Sequence, residues 1–213
     1  MILFHFAWDM RTYWPRPIFQ FTHSLWLLGG GLIGGTFLFL SGISTILTMR
    51  FSSRRKIALN GLKVIFCALI VSGVTFYVIP ESPIYFGILH CIGISLLVAA
   101  SISGHPKTTL LFAAITILLG IVTEFFEGST LWLVWAGMVF PGYSSSDFFP
   151  LFPWSGVLFL GMYLSPIIYK PELEPKPLGA PPLLLFIGRH SLMICLLHQP
   201  ILLGIVKEIG MFA

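Results

Sequence analysis

Apolar runs of membrane length, nearly free of charge, recur along this chain and leave it few ways to fold. A crossing helix needs about 20 apolar residues. Read on that criterion, the chain offers a stub at 1–9 and full helices at about 22–49, 57–78, 84–103, 109–125, 151–169 and 182–209. A weaker segment at 131–140 is too short to cross, and is expected to lie at the interface or to re-enter. The expected fold is all-α, a polytopic transmembrane helix bundle. It has about six full spanning helices plus a truncated first helix, in one integral-membrane domain over 1–213. With 56% hydrophobic and 9% charged residues among 213, a soluble domain is excluded.

The basic residues give the orientation. Arg50, Arg54, Arg55, Lys56 and Lys63 flank the second and third helices, Lys107 follows the fourth, and Lys170 and Lys176 follow the sixth. These loops alternate correctly to share one face, which the positive-inside rule makes cytoplasmic. Asp9, Glu81, Glu124, Glu127, Asp147 and Glu208 collect on the other face, with Arg11 and Arg16 as exceptions there. A net charge of +4 arising at helix ends marks orientation in a bilayer and excludes nucleic acid as a partner. Cys67, Cys91 and Cys195 lie in apolar runs without a CxxC pair and read as packing residues. The histidine and cysteine spacing supports no metal site. Gly30 with Gly34, and Gly31 with Gly35, repeat at the interval that lets a neighbouring backbone approach a helix closely.

Ionisable side chains inside apolar helices are costly and mark sites. His5 and Asp9, four apart, share a helix face, so the carboxylate can orient the imidazole as a general base. A polar pair at a helix end is the plainer alternative. His90 sits one to two turns inside its helix and needs a partner. Asp147 abuts the sixth helix across a proline-rich turn, either capping it or pointing into an outer cavity. In the last helix, Arg189 and His190 lie towards the cytoplasmic end and His198 lies deeper. Arg189 and His198, nine apart, fall on opposite faces of a regular helix. One cavity can use both only if the helix is distorted, and Pro200 is the expected source of distortion. Arg189 could instead snorkel to headgroups.

The stretches Ile2-Leu3-Phe4-His5-Phe6-Ala7-Trp8-Asp9-Met10, Thr36-Phe37-Leu38-Phe39-Leu40-Ser41-Gly42-Ile43-Ser44 and Tyr85-Phe86-Gly87-Ile88-Leu89-His90-Cys91-Ile92-Gly93 occur in that order. They are followed by Asp147-Phe148-Phe149-Pro150-Leu151-Phe152-Pro153-Trp154, then Gly188-Arg189-His190-Ser191-Leu192 and His198-Gln199-Pro200. Together they resemble the heparan-α-glucosaminide N-acetyltransferase catalytic-domain-like membrane proteins, and specifically their small bacterial branch. The resemblance covers nearly the whole chain. It implies an inner-membrane, multi-pass acyltransferase with no bound cofactor, taking acetyl-CoA or another acyl-CoA as co-substrate and a sugar or glycan as acceptor. The lipid bilayer is the remaining partner. On this sequence it implies His5, Asp9 and His198 as catalytic, and His90, Asp147, Arg189 and His190 as substrate-binding. The alternative is a transporter, channel-like or accessory protein using the same groups as a proton or anion path.

In this resemblance Met1 falls inside the first helix, and the stub covers about 14 Å at 1.5 Å per residue. The reading frame upstream is therefore expected to encode about 10 to 20 further apolar residues, including an Arg.

Overall fold

The computed structural model describes residues 1–13, 22–169 and 181–211. Among them there is no β-strand, and eight α-helices follow in order. These are α1 (Ile2–Tyr13), α2 (His23–Phe51), α3 (Arg54–Val78), α4 (Ile88–Ile102), α5 (Pro106–Thr123), α6 (Leu151–Ile168), α7 (Pro182–Arg189) and α8 (Ser191–Met211). The segment expected at the interface contains a 3-10 turn, Leu131–Ala136, and no α-helix.

Among the described residues, four helices are long and apolar enough to cross a membrane, or five if the bent pair α7–α8 is one span. The chain is a multi-pass membrane protein. The expected fourth span starts later than its apolar run. Residues 84–87 are not helical, and α4 holds only 15 residues. The reason is local: Ile84 N–H is taken by Thr75 Oγ1, and Gly87 is extended at φ −100°, ψ −176°. Helix α1 runs on past the expected stub to Tyr13.

The last helix is broken by 82°. The break falls at His190 and not, as expected from its proline, at Pro200, which lies inside α8. At the break the His190 ring donates from Nδ1 to the Phe186 carbonyl at 2.9 Å, the same oxygen that accepts its backbone N–H at 3.1 Å.

The described residues fall into two compact units, and the boundary lies within α2, between Ile33 and Gly34. In the unit of residues 34–172, α6 packs on the C-terminal part of α2 and on α5, and α3 packs on α4. Missing side chains make this possible. A Cβ on Gly42 would strike the Leu158 carbonyl, and one on Gly161 would strike the Phe39 carbonyl, so two backbones touch there. Gly61 and Gly93 do the same for α3 and α4. The Gly34 and Gly35 positions, expected to admit a backbone, are instead filled by the Phe149 and Trp154 rings. Leu38, Leu158, Phe159 and Met162 are buried in this core, whereas Leu62, Phe66, Leu69 and Ile70 of α3 are exposed. Apolar side chains left on the outside suit a surface that meets lipid rather than water.

Arg50, Arg54, Arg55, Lys56 and Lys107 of this unit lie at helix ends, and two of them tie those ends together. Arg54 Nη2, at the start of α3, donates to the Ser103 carbonyl at the end of α4 at 2.7 Å. Gly104, with φ +92°, turns the chain beside that guanidinium. Arg50, at the end of α2, lies over the Tyr169 ring just beyond α6, 5.8 Å from its centroid. Lys170 and Lys176 lie outside the described residues, as does Arg16.

Candidate functional site

In the unit built from residues 1–33 and 173–213, α1 packs against α8. The contact brings together the two chain regions that carry the candidate catalytic residues. The His5 and His198 rings lie 5.0 Å apart at their centroids, tilted by 59°. One turn further along α1, Asp9 is 1% exposed. Its carboxylate accepts from Gln199 Nε2, at 3.2 Å to Oδ1 and 3.4 Å to Oδ2. This changes the expected pairing. Asp9 shares a face with His5, as the spacing requires, but its hydrogen bonds go to Gln199 and His5 packs on His198.

His198 is held in one tautomer by its own helix. Nδ1 lies 2.7 Å from the Cys195 carbonyl and 3.2 Å from that of Ile194. A carbonyl only accepts, so Nδ1 carries a hydrogen, and in the neutral ring the lone pair is then on Nε2. His198 is 9% exposed, and Nε2 is buried with no hydrogen-bond partner among the described residues. In the neutral ring this nitrogen is a buried acceptor that meets no donor. His190 is held the same way through Phe186 and is exposed. Both histidines line a groove of about 490 Å³ whose other walls are apolar, among them Ile2, Met193, Leu197 and Ile201. Arg189, the last residue of α7, is exposed at the bend.

A short aromatic and cationic stack supports α1 from the start of α2. Trp26 is buried, with Phe4 and Trp8 edge-on to it at 5.4 and 5.5 Å. The Arg11 guanidinium lies 5.5 Å from the same ring. Gly29 and Gly30 leave the space that Phe4 occupies.

His90 and Asp147 belong to the other unit and act on the first turn of α4. Gly87 N–H donates to His90 Nδ1 at 3.2 Å, which leaves the hydrogen on Nε2, 3.5 Å from Ser72 Oγ. The partner that burial demanded is therefore present, and Phe86 stacks on the ring at 5.3 Å. Asp147 Oδ2 accepts from Ile88 N–H at 2.8 Å. It caps α4, not α6 as its position in the chain suggested. A Cβ at Gly87 would collide with this carboxylate, so the approach needs glycine there. Burial pushes the Asp147 carboxyl up to about 6, against the pull of the Ile88 hydrogen bond. Tyr143, packed between Tyr85 and Phe148, is raised as well, chiefly by burial.

Nothing in the local sequence pattern around Gln199 links it to a carboxylate 190 positions away.

Neither a curated protein nor a solved structure matches the chain significantly. A family does, described as heparan-alpha-glucosaminide N-acetyltransferase, catalytic, and its match runs over residues 1–200. That range takes in α1, the Asp147 loop and α8 as far as Pro200, so the chain belongs to the heparan-α-glucosaminide N-acetyltransferase catalytic family.

Proposed function

We propose that this multi-pass membrane protein, from a family of membrane acetyltransferases, is a bacterial inner-membrane acyltransferase. It moves an acetyl or other acyl group from a cytoplasmic acyl-CoA to an extracytoplasmic sugar or glycan. The observation that supports this reading is the His198 imidazole, fixed through Nδ1 and open at a buried Nε2 beside His5.

A base so placed can take the proton of an acceptor amine or hydroxyl. As the acceptor atom attacks the thioester carbonyl, its proton passes to Nε2. The carbon–sulfur bond then breaks, and coenzyme A leaves as the thiol with a proton returned by the imidazolium. Attack by Nε2 itself would give an acyl-histidine with the same overall balance. Trapping labelled acyl groups on the protein separates the two paths. Arg189 and His190, at the bend, are assigned to the donor's phosphates and carbonyl. His90 and Asp147 are assigned to holding α4 in place. With α4 counted as a crossing and α7–α8 as one bent crossing, α2 to α8 supply six spans, and the basic end is cytoplasmic.

The test is transfer of labelled acetyl from acetyl-CoA to glucosamine-type acceptors in membranes holding the full chain. His198→Ala is expected to lower the rate by about 10²–10⁴-fold with the protein still folded. Failure of the unmutated chain to consume any acyl donor, together with proton-coupled uptake that survives His198→Ala, overturns the reading.

A further inference from the structure

We infer that Gln199 is a positioning residue for the acceptor, and that Asp9 serves the site by fixing which way the Gln199 amide faces. This deepens the acyltransferase reading and rests on it.

The amide of glutamine has a donor end and an acceptor end, and either can face a neighbour that both donates and accepts. A carboxylate only accepts. Asp9 therefore receives Nε2 on both of its oxygens and forces Oε1 to the opposite side. Oε1 is buried there and meets no donor among the described residues. Leaving a buried carbonyl oxygen unmatched is costly, so an arrangement that enforces it calls for an explanation. The next residue along the helix repeats the pattern. His198 is oriented from one side by backbone carbonyls, and its Nε2 is likewise buried and unmatched. Two consecutive residues of α8 thus each have one end tied down and the other open. Both open ends are acceptors, and both residues meet α1, through His5 and Asp9.

Two preset acceptors await a molecule that donates. The reacting thioester carbonyl and the phosphates of acyl-CoA only accept, so those groups do not fit; its amide N–H groups can donate, and the donor KM in the test below separates that case. A polyol or amino sugar fits, because it carries several O–H or N–H groups. One of these goes to His198 Nε2 for the reaction, and another goes to Gln199 Oε1 and holds the acceptor in register. Gln199 stands for orientation in this scheme, and His198 for chemistry.

The test uses the full chain in nanodiscs, with acetyl-CoA as donor and glucosamine as acceptor. Gln199→Met keeps the length and removes the amide. It is expected to raise the acceptor KM about tenfold, the effect of one lost hydrogen bond, with the donor KM unchanged. Asp9→Asn is nearly isosteric but presents both a donor and an acceptor, so it frees the amide to turn. It is expected to raise the acceptor KM in the same way, and to add nothing in the Gln199→Met background. Calorimetric binding of glucosamine without donor should weaken in parallel. A rise in donor KM, equal loss in both variants through kcat alone, or additive effects in the double variant overturns the inference. A lowered unfolding temperature with unchanged KM values also overturns it, since that is a structural role. Transfer without any glucosamine effect at Gln199 removes this inference and leaves the acyltransferase. Glucosamine binding that weakens in Gln199→Met without any transfer removes the reaction and leaves the amide's role. The absence of both transfer and binding in the unmutated chain removes both.

Discussion

Asp147 reaches back 59 positions to cap α4, and it does so with a carboxyl whose pKa is raised to about 6. A group with its folded pKa above its unfolded value stabilises the fold fully below the unfolded pKa, and that contribution is lost as pH rises through the folded one. For Asp147 the window runs from about 4 to about 6. Unfolding temperature is therefore expected to fall across that window, and Asp147→Asn to flatten the fall, since an amide oxygen still accepts from Ile88 N–H. Asp147→Ala loses the cap and the titration together, so its cost is expected to be about 1 kcal/mol at pH 4.5 and smaller at pH 7. Thermal unfolding in detergent at pH 4.5 and 7 checks both. An unchanged pH slope in Asp147→Asn would show that another group titrates. Asp147 also shows what one chain position can reveal. Its proximity to Leu151 made α6 the natural helix to cap, and only the folded loop brings it to Ile88.

The legible elements were those whose length and polarity carry the signal. Apolar runs and their basic flanks located α2, α3, α5 and α6 to within a few residues, because burial in hydrocarbon imposes a minimum length on each. Proline is the local signal that marks a bend in a sequence, and the bend in α7–α8 falls instead at His190, where neither proline nor periodicity marks it. The partner of Asp9 stayed hidden for a related reason, since spacing along α1 reports faces and says nothing of α8. Glycine spacing was a partial guide. It pointed to Gly34 and Gly35, where rings enter, and missed Gly42 and Gly161, where the α2 and α6 backbones meet. Gly161→Leu is accordingly expected to destabilise the protein by more than about 3 kcal/mol, beyond the usual range for overpacking, because the obstacle is main chain and cannot swing aside. Yield of monodisperse protein and its unfolding temperature measure this. Gly73, with open space around its Cα, is the control and should accept alanine without loss.

For the molecule as a whole, the basic end of the unit of residues 34–172 sets the expected orientation. Arg54 against Ser103 and Arg50 against Tyr169 join the ends of α2, α3, α4 and α6 on one side. Membrane-impermeant thiol labelling of intact cells, in a background without the three native cysteines, should miss Ser52→Cys and reach Ser144→Cys. The opposite pattern reverses the orientation, and with it the side from which the acyl donor arrives. The bend at His190 has a separate consequence for hydration. A helix broken by 82° leaves the new N-terminus of α8 without a preceding turn to receive its amide hydrogens. Lipid tails offer those groups nothing, so the bend belongs at a depth where water or protein reaches them. If α7–α8 crosses the bilayer as one span, water or a packed helix must meet those amides partway through. Where it is water, the dry thickness that a charged group must pass at that point is less than the full hydrocarbon core.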